Sequence, residues 1–164
     1  MELVQAGDPS AYQALFERYH ARIYSYLVRK TRSPQTAADL YQETFLRVYR
    51  ARASWNPARP FKPWLWSIAG NAARDHARRE VRRPVETGIE DWDAPKRERH
   101  DTRIHLEDAI ASLPDTLRDA FLLGAVEGFN HNEVAEQLEI SPANARARIS
   151  RARALLRRRL EGTA

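Results

Sequence analysis

Seven arginines near the C-terminal end of the chain could bind phosphate groups and read base edges. No acidic residue stands between Ser141 and Leu160, while arginine occupies positions 146, 148, 151, 153, 157, 158 and 159. Arginine presents a rigid fork of donors that matches phosphate oxygens and the guanine edge. Because so many like charges repel one another unless a polyanion meets them, this segment indicates a nucleic-acid surface. The alternative is a solvated basic face on an ordinary helical hairpin.

The residues around these arginines predict a helix-turn-helix motif. Asn130 and Glu133 have the spacing of a capping box at the start of one helix. Ser141 and Pro142 supply an N-cap and a proline at the first position of the next helix. That second helix has an apolar stripe at helical spacing, formed by Ala145, Ile149, Ala152 and Leu156. A short helix, a tight turn and a basic second helix together make up this motif.

The recognition helix of such a motif divides its side chains between bases and phosphates. Its first residues reach base edges, and flanking arginines contact the backbone. The candidates for base readout are Ala143, Asn144, Arg146, Ala147 and Ser150. The candidates for phosphate contact are Arg148, Arg151 and Arg153.

A second candidate surface lies on the stretch FKPWLWSIAGNAARDHARR, residues 61–79. On a helix with ~100° per residue, one side gathers apolar residues. These are Leu65, Ile68, Ala69 and Ala72. A nearly opposite stripe is polar and basic and contains Ser67, Asn71, Arg74 and Arg78.

The two tryptophans of this stretch face different ways on the same helix. Trp64 projects within about 20° of Asn71, so it borders the polar stripe. Trp66 shares a side with Gly70 and Ala73, where small residues leave room for a neighbouring helix. We therefore expect Trp66 to be packing, and leave two readings open for Trp64, namely DNA contact and the edge of the core.

Helical patterns extend through most of the chain and predict an all-α fold. Asp8 and Pro9 give the start signal of one helix, and Ser33 and Pro34 that of the next. A proline-rich loop, SWNPARPFKP, precedes the tryptophan helix. We expect two small helical domains, residues 1–82 and 104–164, joined by a flexible acidic linker at 83–103.

Composition narrows the class of protein. The chain has 164 residues, with 27 lysines and arginines against 22 acids, a net charge of +5. The lack of cysteine excludes disulfides, thiolate metal sites and a cysteine nucleophile, and is compatible with a reducing cytoplasm. No apolar run approaches the ~20 residues of a membrane span, and the N-terminus does not resemble a signal peptide.

Enzyme chemistry finds little support in the sequence. The five histidines are scattered, and the D-x-D match, Asp91-Trp92-Asp93, falls in the expected linker. There is no glycine-rich phosphate loop, and no activated nucleophile can be recognised. We therefore expect no catalysis, no metal and no cofactor. A DNA recombinase or nuclease remains the rival enzyme class.

Several blocks of the sequence, in order, resemble the extracytoplasmic-function (ECF) sigma factors of the bacterial sigma-70 family. They are AGDPSAYQALFERYH, ADLYQETFLRVYRA, the tryptophan stretch, and LPDTLRDAFLLGAVEGFNHNEVAEQLEISPANARARISRARALL. The resemblance covers nearly the whole chain. It implies a transcription initiation factor of two helical domains that binds core RNA polymerase and promoter DNA in the cytoplasm. It also implies an anti-sigma factor as a partner, and no membrane insertion or small-molecule substrate.

The resemblance assigns a role to each surface. The first domain would bind the β′ clamp helices of the polymerase through Asp39, Gln42, Glu43 and Leu46. It would contact and open the −10 element, where our candidates are Arg59, Lys62, Trp64, Asn71, Arg74, Arg78 and Arg79. The second domain would bind the β flap and read the −35 element. Its candidates are Asn144, Arg146, Ala147, Arg148, Ser150, Arg151 and Arg153. The linker would thread towards the RNA exit channel.

Two departures concern the −35 preference rather than the fold. The small-Thr-Val-Lys-Ser pattern usual in the family's recognition helix is Ala143-Asn144-Ala145-Arg146-Ala147 here, and the usual Ser/Thr-Tyr before its partner helix is Asn130-His131. A conventional helix-turn-helix regulator that binds duplex DNA without polymerase is the closest alternative function.

Overall fold

The computed structural model describes residues 1–82 and 102–161, in which helices alternate with short turns and no strand occurs. The helices are α1 (Glu2–Gln5), α2 (Pro9–Thr31), α3 (Pro34–Ala51), α4 (Phe61–Arg82), α5 (Thr102–Ala111), α6 (Asp115–Phe121), α7 (His131–Leu138) and α8 (Pro142–Glu161). A 3-10 turn (Arg52–Ser54) follows α3, and a π-helical turn (Leu122–Val126) continues α6. The all-α prediction is confirmed. Residues 83–101 of the expected linker lie outside the described residues.

The predicted caps begin the first two long helices. The side chain of Asp8 accepts hydrogen bonds from the backbone N–H of Ser10 (2.8 Å) and of Ala11 (3.1 Å). The hydroxyl of Ser33 accepts one from the N–H of Thr36 at 3.2 Å. Each cap satisfies donors that the first turn leaves free, and each precedes a proline whose missing N–H costs nothing there.

Helices α2, α3 and α4 pack on one another and form the N-terminal part of the core. Each gives an apolar face, and the fully or nearly fully buried residues are Ile23, Tyr26, Leu27, Leu40, Phe45, Val48, Leu65, Trp66, Ala69 and Ala72. The predicted apolar side of α4 is confirmed for Leu65, Ala69 and Ala72, while Ile68 is half-buried.

Helices α5 to α8 form the C-terminal part of the core, with α8 packed against α5, α6 and α7. The predicted stripe of α8 is confirmed, since Ala145, Ile149, Ala152 and Leu156 are all buried. The π-helical turn passes close to this stripe at Gly124. A Cβ atom added to Gly124 would lie only 2.5 Å from Cδ1 of Ile149.

The two sets of helices pack against each other and share one continuous core. The ring of Trp66 on α4 meets the ring of Phe129 before α7, with 5.9 Å between the centroids. Ion pairs join α2 to the C-terminal part of the fold: Arg22 with Glu127 after the π-helical turn (2.8 Å), Arg29 with Glu107 on α5 (2.7 Å) and Lys30 with Asp119 on α6 (2.6 Å). This packing places the loop before α4 and the polar stripe of α4 beside α7.

Candidate nucleic-acid interface

The loop before α4 is built on a buried tryptophan and a side-chain turn. Trp55 is 9% exposed and lies 6.3 Å from the ring of Phe61. The side-chain oxygen of Asn56 accepts a hydrogen bond from the N–H of Ala58 at 2.9 Å, a turn in which an amide side chain replaces a backbone carbonyl. Helix α1 supports this loop, because the side chain of Gln5 donates to the Trp55 carbonyl at 2.7 Å.

Trp66 is a packing residue, as predicted. It is completely buried, with ring centroids 6.1 Å from Tyr19 and 6.4 Å from Tyr26. Its indole N–H finds no hydrogen-bond partner, which is the cost of filling this site with so large a side chain. Trp66 therefore joins α4 to α2 and to the C-terminal helices, and no face of it is free for a base.

Trp64 lies between the core and the surface. It is half-buried, and its ring meets that of Phe61 at 5.6 Å. Trp64 also lines a groove between α4 and α7. From α4 and its loop, the groove is lined by Arg59, Pro63, Trp64, Asn71 and Arg74. From α7 and its C-cap, it is lined by Glu133, Glu136, Gln137 and Glu139.

The polar stripe of α4 is present, and part of it is already engaged. Asn71 is exposed and accepts a hydrogen bond from the guanidinium of Arg74. Arg74 also donates to the backbone carbonyl of Gln137 at 3.1 Å. Arg78 and Arg79 are exposed at the end of the stripe. The stripe thus offers one amide and the guanidinium groups of Arg74 and Arg78 along one side of the helix, with Arg79 beside its end.

Lys62 and Arg59 face the C-terminal helices. The ammonium of Lys62 donates to the backbone carbonyl of Glu127 and lies 4.6 Å from the ring centroid of Phe129. Burial, with the nearby charge of Arg22, lowers the pKa of Lys62. Arg59 remains exposed and comes within 3.9 Å of Glu136. Lys62 is thus held between the two halves of the molecule, away from the polar stripe.

The helix-turn-helix is formed by α7 and α8, and its caps are those predicted. The side-chain oxygen of Asn130 accepts from the N–H groups of Asn132 and Glu133, while a carboxylate oxygen of Glu133 accepts from the N–H of Asn130 at 2.8 Å. The Ser141 hydroxyl accepts from the N–H of Asn144 at 3.2 Å. Both helices of the motif therefore begin at fixed points, which sets the direction of α8.

Helix α8 presents its basic face outward. Asn144 accepts a hydrogen bond from the guanidinium of Arg148 at 3.1 Å, so these two candidates form one unit. Ala147 and Arg148 are half-exposed. The other candidates are exposed, namely Asn144, Arg146, Ser150, Arg151 and Arg153.

One face of α3 carries the predicted polymerase contacts. Asp39, Gln42 and Leu46 are exposed, and Leu46 is 51% accessible to solvent. Glu43 is paired with Arg47 at 2.7 Å, and Arg47 also pairs with Asp75 at 2.9 Å. An exposed leucine surrounded by polar groups suits a protein partner more than a nucleic acid.

Two buried charges are absent from the sequence prediction. Arg118 is 2% exposed and donates to the backbone carbonyls of Leu113 (2.9 Å) and Lys30 (3.4 Å) and to Asp115 (2.6 Å). Glu127 is 6% exposed and pairs with Arg22. Arg22 and Lys30, the partners on α2, lie far along the chain from Glu127 and Arg118, so no spacing in the sequence marks these two contacts.

Within residues 1–82 and 102–161, no three histidine, aspartate or glutamate side chains come together as a metal site would require. In that same part of the chain, the helices are too short or too polar to cross a membrane.

Comparison with known proteins identifies the family. The model of Sigma-70 region 2 matches residues 15–83, and that of Sigma-70 region 4 matches residues 103–156. The RNA polymerase sigma factor CarQ of Myxococcus xanthus is 37% identical over 92% of this chain and 90% of its own. The ECF RNA polymerase sigma-E factor of Escherichia coli is 30% identical over 93% and 88%. The chain belongs to the ECF sigma factors of the sigma-70 family.

The fold agrees with this membership. The structure of the sigma factor RpoE in complex with the anti-sigma factor NepR from Bartonella quintana superposes with a TM-score of 0.74, covering 92% of this chain and 97% of that one at 19% identity. As a sigma factor, the protein directs RNA polymerase to promoters, and its partners are core RNA polymerase and promoter DNA. The region 2 match begins within α2 and runs through α4, and the region 4 match runs from α5 into α8.

Proposed function

We propose that this sigma factor opens the −10 element with the polar stripe of α4 and reads the −35 element with α8. The observation that carries the proposal is that region 2 and region 4 each have a basic face with an exposed amide, Asn71 in the middle of α4 and Asn144 in the first turn of α8. Amides read base edges and guanidinium groups hold phosphates, so each face combines the two functions.

Trp64 would help to hold the opened strand. Stacking of one base on an aromatic ring contributes ~1–3 kcal/mol, whereas extruding a base from the duplex costs a few kcal/mol. A single half-buried indole therefore cannot open the duplex by itself. Arg74, Arg78 and Arg79 would supply phosphate contacts to the strand, and the polymerase must contribute the rest.

The exposed face of α3 is the proposed contact with the β′ clamp helices, through Asp39, Gln42, Glu43 and Leu46. Region 4 would contact the β flap. An anti-sigma factor that covered the α3 face would prevent both polymerase binding and transcription. In the RpoE structure from Bartonella quintana the partner, NepR, is an anti-sigma factor, and we propose a partner of that class for this chain.

The protein would supply no catalytic group, because the chemistry of RNA synthesis belongs to the polymerase. We accordingly place it in the cytoplasm with that enzyme. The proposed domain limits are 1–82 for the first domain, 83–103 for the linker and 104–164 for the second.

Affinity for core polymerase tests the α3 assignment. We expect Leu46→Glu to abolish co-purification with core RNA polymerase, because a carboxylate replaces the exposed apolar contact. Leu3→Glu is the matched control, since Leu3 is also exposed but lies outside region 2. Both variants should keep the thermal stability of the parent protein. Equal recovery of core polymerase with the two variants would exclude the α3 face.

A further inference from the structure

We propose that Arg47 on α3 is a positioning residue for the opened −10 strand, because it neutralises an acid, Asp75, that stands in the polar stripe of α4. The ion pair joins Nη1 of Arg47 to a carboxylate oxygen of Asp75 at 2.9 Å. Neither residue belongs to the surfaces predicted from the sequence. The inference rests on the proposed function, because it takes the polar stripe of α4 to be the site of the −10 strand.

Asp75 puts a negative charge among the groups that would meet DNA. It follows Asn71 by four residues and precedes Arg78 by three, so all three project from one side of α4. The side chain of Asp75 is 43% accessible to solvent. One helical turn advances about 5.4 Å, which is less than the Debye length of about 10 Å at about 0.1 M salt. An uncompensated Asp75 would therefore repel a phosphate held beside Asn71 or Arg78.

Arg47 reaches Asp75 from the neighbouring helix. Its guanidinium uses two of its nitrogens, since Nε donates to Glu43 at 2.7 Å and Nη1 donates to Asp75 at 2.9 Å. Glu43 lies one turn before Arg47 on α3, so the first of these bonds holds the side chain against its own helix. The planar fork then presents its remaining donors towards α4, which the single ammonium of a lysine would not do in the same way.

The ion pair adjoins the amide that we assign to base reading. Arg47 and Asn71 line one groove between α3 and α4, together with Arg50, Ala51 and Ile68. A half-exposed ion pair contributes little to stability. Its larger effect is on the charge of the surface, because it cancels the one carboxylate that stands between Asn71 and Arg78 on that side of α4. If Arg47 contacted the strand directly instead, removal of Asp75 would not compensate for its loss.

The test compares Arg47→Met, Asp75→Asn and the double variant in the full chain. Each protein is assembled with core RNA polymerase and the holoenzyme is isolated by gel filtration, so that a weaker contact of Glu43 with the polymerase does not enter the result. The matched control is Arg29→Met with Glu107→Gln, singly and together, which makes the same changes in the ion pair between α2 and α5.

The probe is a fluorescein-labelled promoter DNA in which one strand of the −10 element, each in turn, is left unpaired. Its sequence is taken from a start site mapped with this protein and core polymerase. Fluorescence anisotropy gives the dissociation constant of each holoenzyme for the strand that binds more tightly. The measurement is made at about 0.1 M and at about 0.5 M salt, because screening separates charge effects from packing effects.

We expect Arg47→Met to weaken binding about threefold at the lower salt, the effect of one exposed charge pair, because Asp75 is left without its cation. Asp75→Asn removes the acid instead, so it should bind as tightly as the parent or more tightly. The double variant is neutral at both positions and should recover most of the loss. The loss for Arg47→Met should shrink at the higher salt, and the control variants should bind like the parent.

Four results would overturn the proposal. They are an Arg47→Met holoenzyme that binds like the parent, a double variant as weak as Arg47→Met, a loss that is the same at both salt concentrations, and an equal loss in the control. Should Arg47→Met lose its helical circular dichroism, Arg47→Gln takes its place under the same criteria. Arg78→Ala tests the proposed function separately: if it binds the strand as the parent does, the stripe is not the −10 site, whereas a loss with Arg78→Ala and none with Arg47→Met refutes this inference alone.

Discussion

Trp64 and Trp66 stand one residue apart and lie in different environments because the helix turns ~100° per residue. The sequence was sufficient to predict Trp66 as packing, since Gly70 and Ala73 share its side. It could not predict Phe129 as the ring on the other side, since that residue is 63 positions away. For Trp64 the structure gives a half-buried ring beside the groove, which is compatible with both of the readings left open.

Truncation of the two tryptophans should separate their roles. Trp66→Ala removes a fully buried side chain, and we expect it to lower the free energy of unfolding by ~3–5 kcal/mol. Trp64→Ala should cost clearly less, because part of that ring already contacts solvent. Urea denaturation followed by circular dichroism measures both. Equal losses would mean that Trp64 is as much a core residue as Trp66.

Asn71 and Arg74 should differ in what they contribute to the −10 contact. Asn71→Ala removes an amide that can read a base edge, so we expect a changed base preference at −10 across a panel of promoter variants. Arg74→Ala removes a phosphate contact, so it should weaken binding to all variants by a similar factor. If Asn71→Ala keeps the parent's ranking of promoters, Asn71 does not read the sequence.

At the scale of the helices, local signals account for most of the fold. The caps at Asp8, Ser33, Asn130 and Ser141 are all visible in the sequence, because N-capping depends on residues within three positions of each other. The π-helical turn at Leu122–Val126 has no such signal. Only the folded core shows why glycine stands at position 124 in this turn, where the Ile149 side chain of α8 leaves no room for a Cβ atom.

The close approach at Gly124 gives a prediction about the contact between this turn and α8. Gly124→Ala should destabilise region 4 by about 1–3 kcal/mol, because its new Cβ would overlap Cδ1 of Ile149. Ile149→Val removes that Cδ1 atom, so the double variant should recover part of the loss. Thermal unfolding of the parent protein, the two single variants and the double variant gives the stabilities for a double-mutant cycle. Additive losses would show that the two positions do not touch.

At the scale of the molecule, the sequence predicts the helices of each half but not how the two halves pack against each other. The composition of the sequence predicts two domains. The contacts that join the two halves, however, are made by single buried residues that lie far apart in the sequence. Glu127 has its partner on α2, and Arg118 reaches the carbonyl of Lys30. Such pairs form only through tertiary packing, so they cannot be predicted from helical periodicity or from capping residues.

Ion pairs between the halves make their docking sensitive to salt. Lys30 with Asp119 and Arg29 with Glu107 are only partly shielded from solvent. Raising the ionic strength from about 0.1 M to about 1 M shortens the Debye length from about 10 Å to about 3 Å. Because the chain has no cysteine, dyes can be attached at the exposed positions Ala53→Cys in the 3-10 turn and Ala154→Cys on α8, and the distance between them should lengthen as salt is added. A distance independent of salt would mean that the apolar contact of Trp66 with Phe129 suffices alone.

The dependence of transcription on a partner enzyme tests the central claim most directly. Genomic DNA of the source bacterium would be transcribed in vitro with core RNA polymerase, with this protein, or with both, and the 5′ ends of the RNA would be sequenced. The account predicts discrete start sites, each preceded by shared −35 and −10 sequences, only when both proteins are present. If the protein instead footprints a duplex operator alone and yields no start sites with core polymerase, it is a conventional regulator and the account is contradicted.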